Sequence, residues 1–262
     1  MCVIIYHQRK HKTIPLDQLQ NAIHNNPHGV GLVRFGKKRS LLVSKHLPKN
    51  LADGPDAASL HENLKKLENH SYILHLRNTT VGANNKENLH PFELYKGKNG
   101  HYVFMHNGTL HEFNDATSDD SDTNQFVQSI VSPLASMHSL AYPQQCFTLN
   151  KMAMAIIEKY RAATSRFMII SGDKRTLRLG DWTERDFGTC SNNHYFDRVV
   201  RGTHQKKIQS SQHCSISSRT SSGYSSSRVV PYVTQGEFWK NDFSTGPREE
   251  KPAYLSNNAF FQ

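Results

Sequence analysis

As far as about residue 197 the chain alternates short apolar runs with turn residues, and between them come stretches of helical spacing. Cys2 to Tyr6 is rich in Val and Ile and reads as a short buried strand. Pro15 to Ile23 carries Leu16, Leu19 and Ile23 at helical spacing and predicts a short helix. Asn25 to Gly29 is a turn. Strands follow at Val30 to Phe35 and at Ser40 to Val43, joined by Gly36-Lys37-Lys38. Leu60, Leu64 and Leu67 form the apolar stripe of a helix from about Ala57 to Leu67, with Lys and Glu on its remaining faces. Tyr72 to Leu76 is a further strand, and Gly97 to Gly100 turns a hairpin between Phe92–Lys96 and His101–His106. After Ser121 the period lengthens. Phe126, Val127, Ile130, Val131 and Leu134 mark a helix that Pro133 is expected to disturb near its end. Met152 to Tyr160 reads as another helix, and Arg166 to Ser171 and Thr176 to Leu179 as a hairpin. Strands with helices inserted in blocks favour an α+β layered sandwich over a doubly wound fold.

From about Arg198 this patterning stops. Ten of the nineteen residues from Gln209 to Ser227 are serine, and no acidic residue stands between Arg198 and Gly236. Composition predicts a disordered, basic, Ser-rich linker over 198–236. The stretch 237–262 regains aromatics, among them Phe238, Trp239, Phe243, Tyr254, Phe260 and Phe261. It reads either as a loosely attached tail or as a peptide that docks on a partner. The 262 residues are 36% hydrophobic, so a substantial core fits only in the first part, 2–197.

The formal net charge of +10 suits nucleic acid, acidic proteins or anionic substrates as partners, or serves solubility alone. No compact cluster of Arg and Lys interleaved with aromatics singles out nucleic acid. Cys2, Cys146, Cys190 and Cys214 form no C-x-x-C pair. No H-E-x-x-H occurs, and Pro27 separates the His24/His28 pair, so neither a metal nor any other cofactor is expected. The apolar run at the start is too short for a signal peptide or a membrane span, which points to a cytoplasmic protein with reduced thiols.

Four segments carry candidate chemistry. Cys2 follows Met1, which aminopeptidase removes readily before a small residue, and removal leaves a thiol and an α-amine on one residue. An amine with an ordinary pKa of roughly 7.7–8.0 can take the thiol proton and return it to a leaving group. His75 to Gly82 ends a predicted strand, where Arg77 can clamp a carboxylate with two parallel hydrogen bonds. His106-Asn107-Gly108 ends another, where an Asn side chain and a Gly backbone N–H can share one oxyanion. Ser121-Asp122-Thr123 precedes an apolar-periodic helix, where Asp122 is either an N-cap or an acceptor for an ammonium. Singly, each has a plain structural explanation: a surface arginine, a tight turn, a cap. Together they supply what free glutamine requires, with its α-carboxylate, α-amine and scissile amide.

The sequence resembles class II glutamine amidotransferases, which begin with a processed Met-Cys. Their H-x-R-x-x-T-x-G motif stands as His75 to Gly82, their H-N-G as His106 to Gly108 and their S-D-T as Ser121 to Thr123. Asn88 to Phe92 is similar to their N-x-H-P-F run. The resemblance covers about residues 2–195 and is nearest to short stand-alone forms of bacteriophages and bacteria. It implies a four-layer αββα sandwich of the N-terminal-nucleophile (Ntn) hydrolase type. It implies Cys2 as nucleophile with its own amine as base, and Asn107 and Gly108 as the oxyanion hole. Arg77 then holds the glutamine α-carboxylate and Asp122 the α-amine, while Thr80, Gly82 and His106 shape the substrate pocket. His106 and His90 are expected to pack and set turns rather than act as bases. Val3, Asn78 and Val81 depart from the usual family residues close to that pocket. The implied function is hydrolysis of the glutamine side-chain amide through a Cys thioester, with ammonia passed to a separate synthase. Two alternatives are an Ntn hydrolase acting on another γ-glutamyl amide and a catalytically silent binding protein on the same fold. A phage source would place the protein in the host cytoplasm.

Overall fold

The computed structural model describes residues 2–49, 54–115 and 117–198. The expected linker and tail lie, Arg198 apart, outside the described residues. Among the described residues ten strands and five α-helices follow in the order β1 (Val3–His7), α1 (Leu16–Asn25), β2 (Val30–Phe35), β3 (Leu41–His46), α2 (Ala57–Lys66), β4 (Tyr72–Leu76), β5 (Phe92–Gly97) and β6 (Gly100–Asn107). Then come α3 (Asp122–Phe126), α4 (Ser132–Ala141), α5 (Lys151–Lys159), β7 (Arg166–Ser171), β8 (Thr176–Leu179), β9 (Thr183–Arg185) and β10 (Gly188–Cys190). One antiparallel sheet has the order β3-β2-β4-β1-β10-β9 and the other β5-β6-β7-β8.

The fold is a four-layer αββα sandwich. Strand alternation sorts the side chains into layers. Ile4, Tyr6, Val33 and Ile73 of the first sheet meet Val103, Met105, Met168 and Ile170 of the second in one buried cluster. The alternate residues of the second sheet, Phe92, Phe104, Phe167 and Ile169, face the other way, onto Phe126, Val131, Ala135 and Ile157 of the helical layer. In the first sheet the alternates Val3, Ile5, Leu32 and Leu74 are equally buried, as are Leu19, Ile23, Leu60 and Leu64 of α1 and α2. Each fully buried aliphatic side chain of this kind stabilises by roughly 1.5–3 kcal/mol. β1 is flanked by β4 and β10, so its first residue enters the middle of a sheet rather than an edge.

Pro133 does not end its helix. A π-turn over Val127–Val131 joins α3 to α4, and Ser132 N–H bonds back to Val127 O. That five-residue reach shifts the ladder just before the proline, which takes an early position of α4, where a missing N–H costs little. The helix then runs on to Ala141. β9 and β10 carry no apolar run long enough to show in the sequence. Among the described residues no helix is long and apolar enough to cross a membrane.

Candidate active site

Antiparallel register assembles the site. Val3 pairs with Leu76, so the residues that follow β4 lie beside the residue that precedes β1. Asn78 N–H donates to Cys2 Sγ at 3.4 Å, and the sulfur lies 3.6 Å from Asn78 O. The contact is made by backbone, so the side chain that departs from the family pattern at Asn78 leaves it unchanged. Asn78 Nδ2 turns away and donates to Asn25 O.

Arg77 is 3% exposed. Its guanidinium donates to Ala83 O at 3.1 Å and Asn85 O at 3.4 Å, both in the loop after β4. Its backbone N–H donates to Gly29 O and its carbonyl accepts from His28. Burial lowers its pKa, and the neighbouring Cys2 and Asp122 oppose that shift. A guanidinium held by neutral carbonyls retains its full charge for an incoming anion.

Ser121, not Asp122, is the N-cap of α3, because its Oγ accepts the Asn124 N–H. Asp122 is thereby released from capping. Its Oδ2 accepts from Leu110 N–H at 2.6 Å and its Oδ1 from Thr123 N–H at 2.7 Å. The first of these ties α3 to the loop after Asn107. Burial raises the Asp122 pKa, while those two N–H groups, Thr123 Oγ1 and Arg77 counter the rise.

Asn107 ends β6. Its Nδ2 donates to Ser191 Oγ at 2.9 Å, and its Oδ1 has no hydrogen-bond partner among the described residues. An amide nitrogen carries two hydrogens, so one N–H is left for another acceptor. Ser191 joins Asn107 to β1: its Oγ accepts from Ile4 N–H at 2.8 Å and its own N–H donates to Ile4 O. The next residue, Asn192, donates to Cys2 O at 3.1 Å. Gly108 has φ +151°, and a Cβ there would stand 2.2 Å from Ser165 Oγ. Only glycine fits that bend.

The remaining expected residues fall in different places. Gly82, at φ +74°, allows its loop to press on the backbone of Asp120 and Ser121, next to Asp122. Thr80 is exposed on the same loop. His106 is not brought to the sulfur. Its ring lies on the helical side of β6 against Phe167, with Nδ1 on Thr123 Oγ1 at 2.8 Å and Nε2 on Ser165 Oγ at 3.2 Å. Burial lowers its pKa to about 3, so the ring is neutral.

Sequence reasoning missed Ser191, Asn192 and Asn88. Asn88 stitches the loop after β4 to the segment before α3: its Nδ2 donates to Ala83 O and Asp119 O, and its Oδ1 accepts from Ser121 N–H. Its place in the Asn88 to Phe92 run was the available signal. Ser191 and Asn192 follow a three-residue strand and carried none.

Cys2 is partly buried, and desolvation raises its thiol pKa despite the Asn78 N–H and the nearby Arg77. A thiol so placed is protonated at neutral pH and needs a base to become a nucleophile. Cys2, Arg77 and Asp122 thus share one electrostatic neighbourhood. No described group holds three or more side chains fit to bind a metal ion.

Residues 18–174 match the family model of class-II glutamine amidotransferases. The chain belongs to that family. The matched span takes in Arg77, Asn107, Gly108 and Asp122 and begins after Cys2. No curated protein matches the chain. Among solved structures, this chain is similar to glutamine phosphoribosylpyrophosphate amidotransferase from B. subtilis complexed with ADP and GMP. The identity is 16% and the TM-score 0.46, over 73% of this chain and 42% of that one. It is also similar to an allosteric regulatory enzyme of purine biosynthesis, at 20% identity and TM-score 0.40, over 66% of this chain and 36% of that one. The chain therefore spans less than half the length of either.

Proposed function

We propose that this amidotransferase cleaves the side-chain amide of glutamine with Cys2 as an N-terminal nucleophile and hands the ammonia to a separate enzyme. One observation carries the reading: the β1–β4 register sets the Cys2 sulfur on the Asn78 N–H, beside a buried cation and a buried carboxylate. Free glutamine carries the opposite charges, an α-carboxylate for Arg77 and an α-ammonium for Asp122.

Removal of Met1 turns the Cys2 nitrogen from an amide into an amine. The amine takes the thiol proton, and the sulfur attacks the amide carbon. The developing oxyanion is met by the spare Asn107 N–H and the Gly108 N–H. The amine then gives its proton to the leaving nitrogen, ammonia departs, and a γ-glutamyl thioester remains. Water, deprotonated by the same amine, attacks the thioester and releases glutamate and the thiol. Thr80 and Gly82 line the binding side, and His106 acts from behind by fixing Thr123 and Ser165.

Purified protein is expected to lack Met1 by intact mass and to release ammonia from glutamine, while Cys2→Ser or Cys2→Ala releases none. Full retention of Met1 in an active preparation would exclude the mechanism. Cleavage of another γ-glutamyl amide with glutamine inert would move the substrate and leave the nucleophile in place.

A further inference from the structure

Three β-turns meet at the end of the sandwich away from Cys2. β6 runs between the two ends, from Gly100 to Asn107, a span of roughly 23 Å. The turns are those of β2–β3, β5–β6 and β7–β8. They are locked together through His101: Gly172 N–H donates to its backbone O, and Leu41 N–H donates to its side-chain Nδ1 at 3.0 Å. A Cβ on Gly172 would stand 1.8 Å from Arg39 O. Between the β2–β3 turn, the β5–β6 turn and the segment after α4 lies a cavity of about 270 Å³ whose lining includes Lys38, Arg39, Lys96, Lys98 and His101, with Asn99 and Gln144. None of its lining residues is acidic. Of the nearby carboxylates, Glu93 is bonded to the lining residue His101 at 3.2 Å and Asp173 pairs with Arg175.

The backbone of these turns runs against propensity. Lys38 (φ 51°) and Arg39 (φ 60°) occupy successive left-handed positions, with Ser40 N–H bonded to Lys37 O. Such a two-residue turn favours Asn-Gly. Lys174 (φ 71°) is left-handed in the β7–β8 turn. Among the described residues these are the only non-glycine residues with positive φ, and all three are cations at this one end. Like charges gathered around a cavity with no acidic lining residue repel, and left-handed lysine and arginine are strained. Local stability alone would select neither.

We propose that this cationic cavity binds a multiply charged phosphate group, either a free polyphosphate or the phosphodiester backbone of a nucleic acid. Four cations converging on one cavity match several closely spaced anionic oxygens better than a single carboxylate. The site is distinct from the Cys2 centre and does not depend on its chemistry.

The test uses the full chain and two probes, inorganic tripolyphosphate and a single-stranded oligothymidylate, titrated at low and at physiological salt. Saturable binding of at least one probe is expected. Tripolyphosphate binding identifies a free polyphosphate as the source, and binding of the oligonucleotide alone identifies a nucleic-acid backbone. The double substitution Lys38→Asn/Arg39→Gly installs the residues the turn prefers, so its melting temperature is expected to hold or rise. Its affinity for the bound probe is expected to fall at least tenfold. Lys96→Ala/Lys98→Ala, which leaves the left-handed turns untouched, is expected to weaken binding similarly. No saturable binding of either probe, or affinities within twofold of the parent in both variants, would overturn the proposal.

Discussion

At the scale of single residues, the arrangement divides binding from chemistry. Arg77 is buried, charged and held by neutral carbonyls, so its proposed role is felt equally by bound substrate and transition state. Losing a buried charged partner costs about 2–5 kcal/mol. Arg77→Ala is therefore expected to raise KM for glutamine on the order of 30-fold or more with a smaller change in kcat. Asn107 has the opposite signature. In the proposed mechanism its spare N–H serves only the oxyanion, so Asn107→Ala is expected to lower kcat on the order of 10²–10³-fold with KM nearly unchanged. Steady-state kinetics of the two variants separates the roles, and equal KM and kcat effects in both would refute the division. The motif residues Arg77, Asn107, Gly108 and Asp122 were legible because each stands at a strand or helix end that the apolar pattern marks. Ser191 was not, because its importance comes from pairing with Ile4, which is 187 residues away in sequence.

At the scale of elements, the apolar runs of β1, β2, β4, β6 and β7 declare themselves, since both faces of each are buried. β9 and β10 are three residues each and take their strand form from pairing, β10 with β1 and β9 with β10, so local sequence could not reveal them. The disturbance expected at Pro133 takes the form of a π-turn, and apolar spacing did not show that the helix continues beyond it to Ala141. The close approach of the Asn88 to Phe92 run to the first sheet was also hidden. It turns on Gly31, where a Cβ would stand 1.8 Å from His90 O, a backbone atom that cannot swing aside. Overpacking of this kind costs typically 1–3 kcal/mol and occasionally more. Gly31→Ala is expected at the upper end of that range in urea unfolding, and an unchanged midpoint would contradict the packing.

At the scale of the whole molecule, buried neutral histidines set the response to acid. Burial lowers the pKa of His75 and of His106 to about 3, and that of His90 well below its ordinary value. His75 and His90 meet at a tilt of 38° with ring centroids 4.1 Å apart. Unfolded imidazoles titrate near 6.5, so between about pH 6.5 and 3 the unfolded chain binds protons that the native chain refuses. The stability from these rings is complete above pH 6.5 and is lost as pH falls, by up to about 1.4 kcal/mol per pH unit for each ring. Melting temperature is expected to drop steadily from pH 6.5 to 5, before the carboxylates titrate, and a flat profile there would contradict it.

The most direct measurement is labelling with an electrophilic glutamine analogue, followed by peptide mapping. Among the described residues the competing thiols, Cys146 and Cys190, are buried, and burial pushes the Cys190 thiol up to about 12. The expected result is a single modification on a Cys2 that begins the mature chain, prevented by excess glutamine and weakened in Arg77→Ala. Modification of Cys146 or Cys190, or of a Cys2 still preceded by Met1, or labelling that glutamine fails to block, would contradict the assignment.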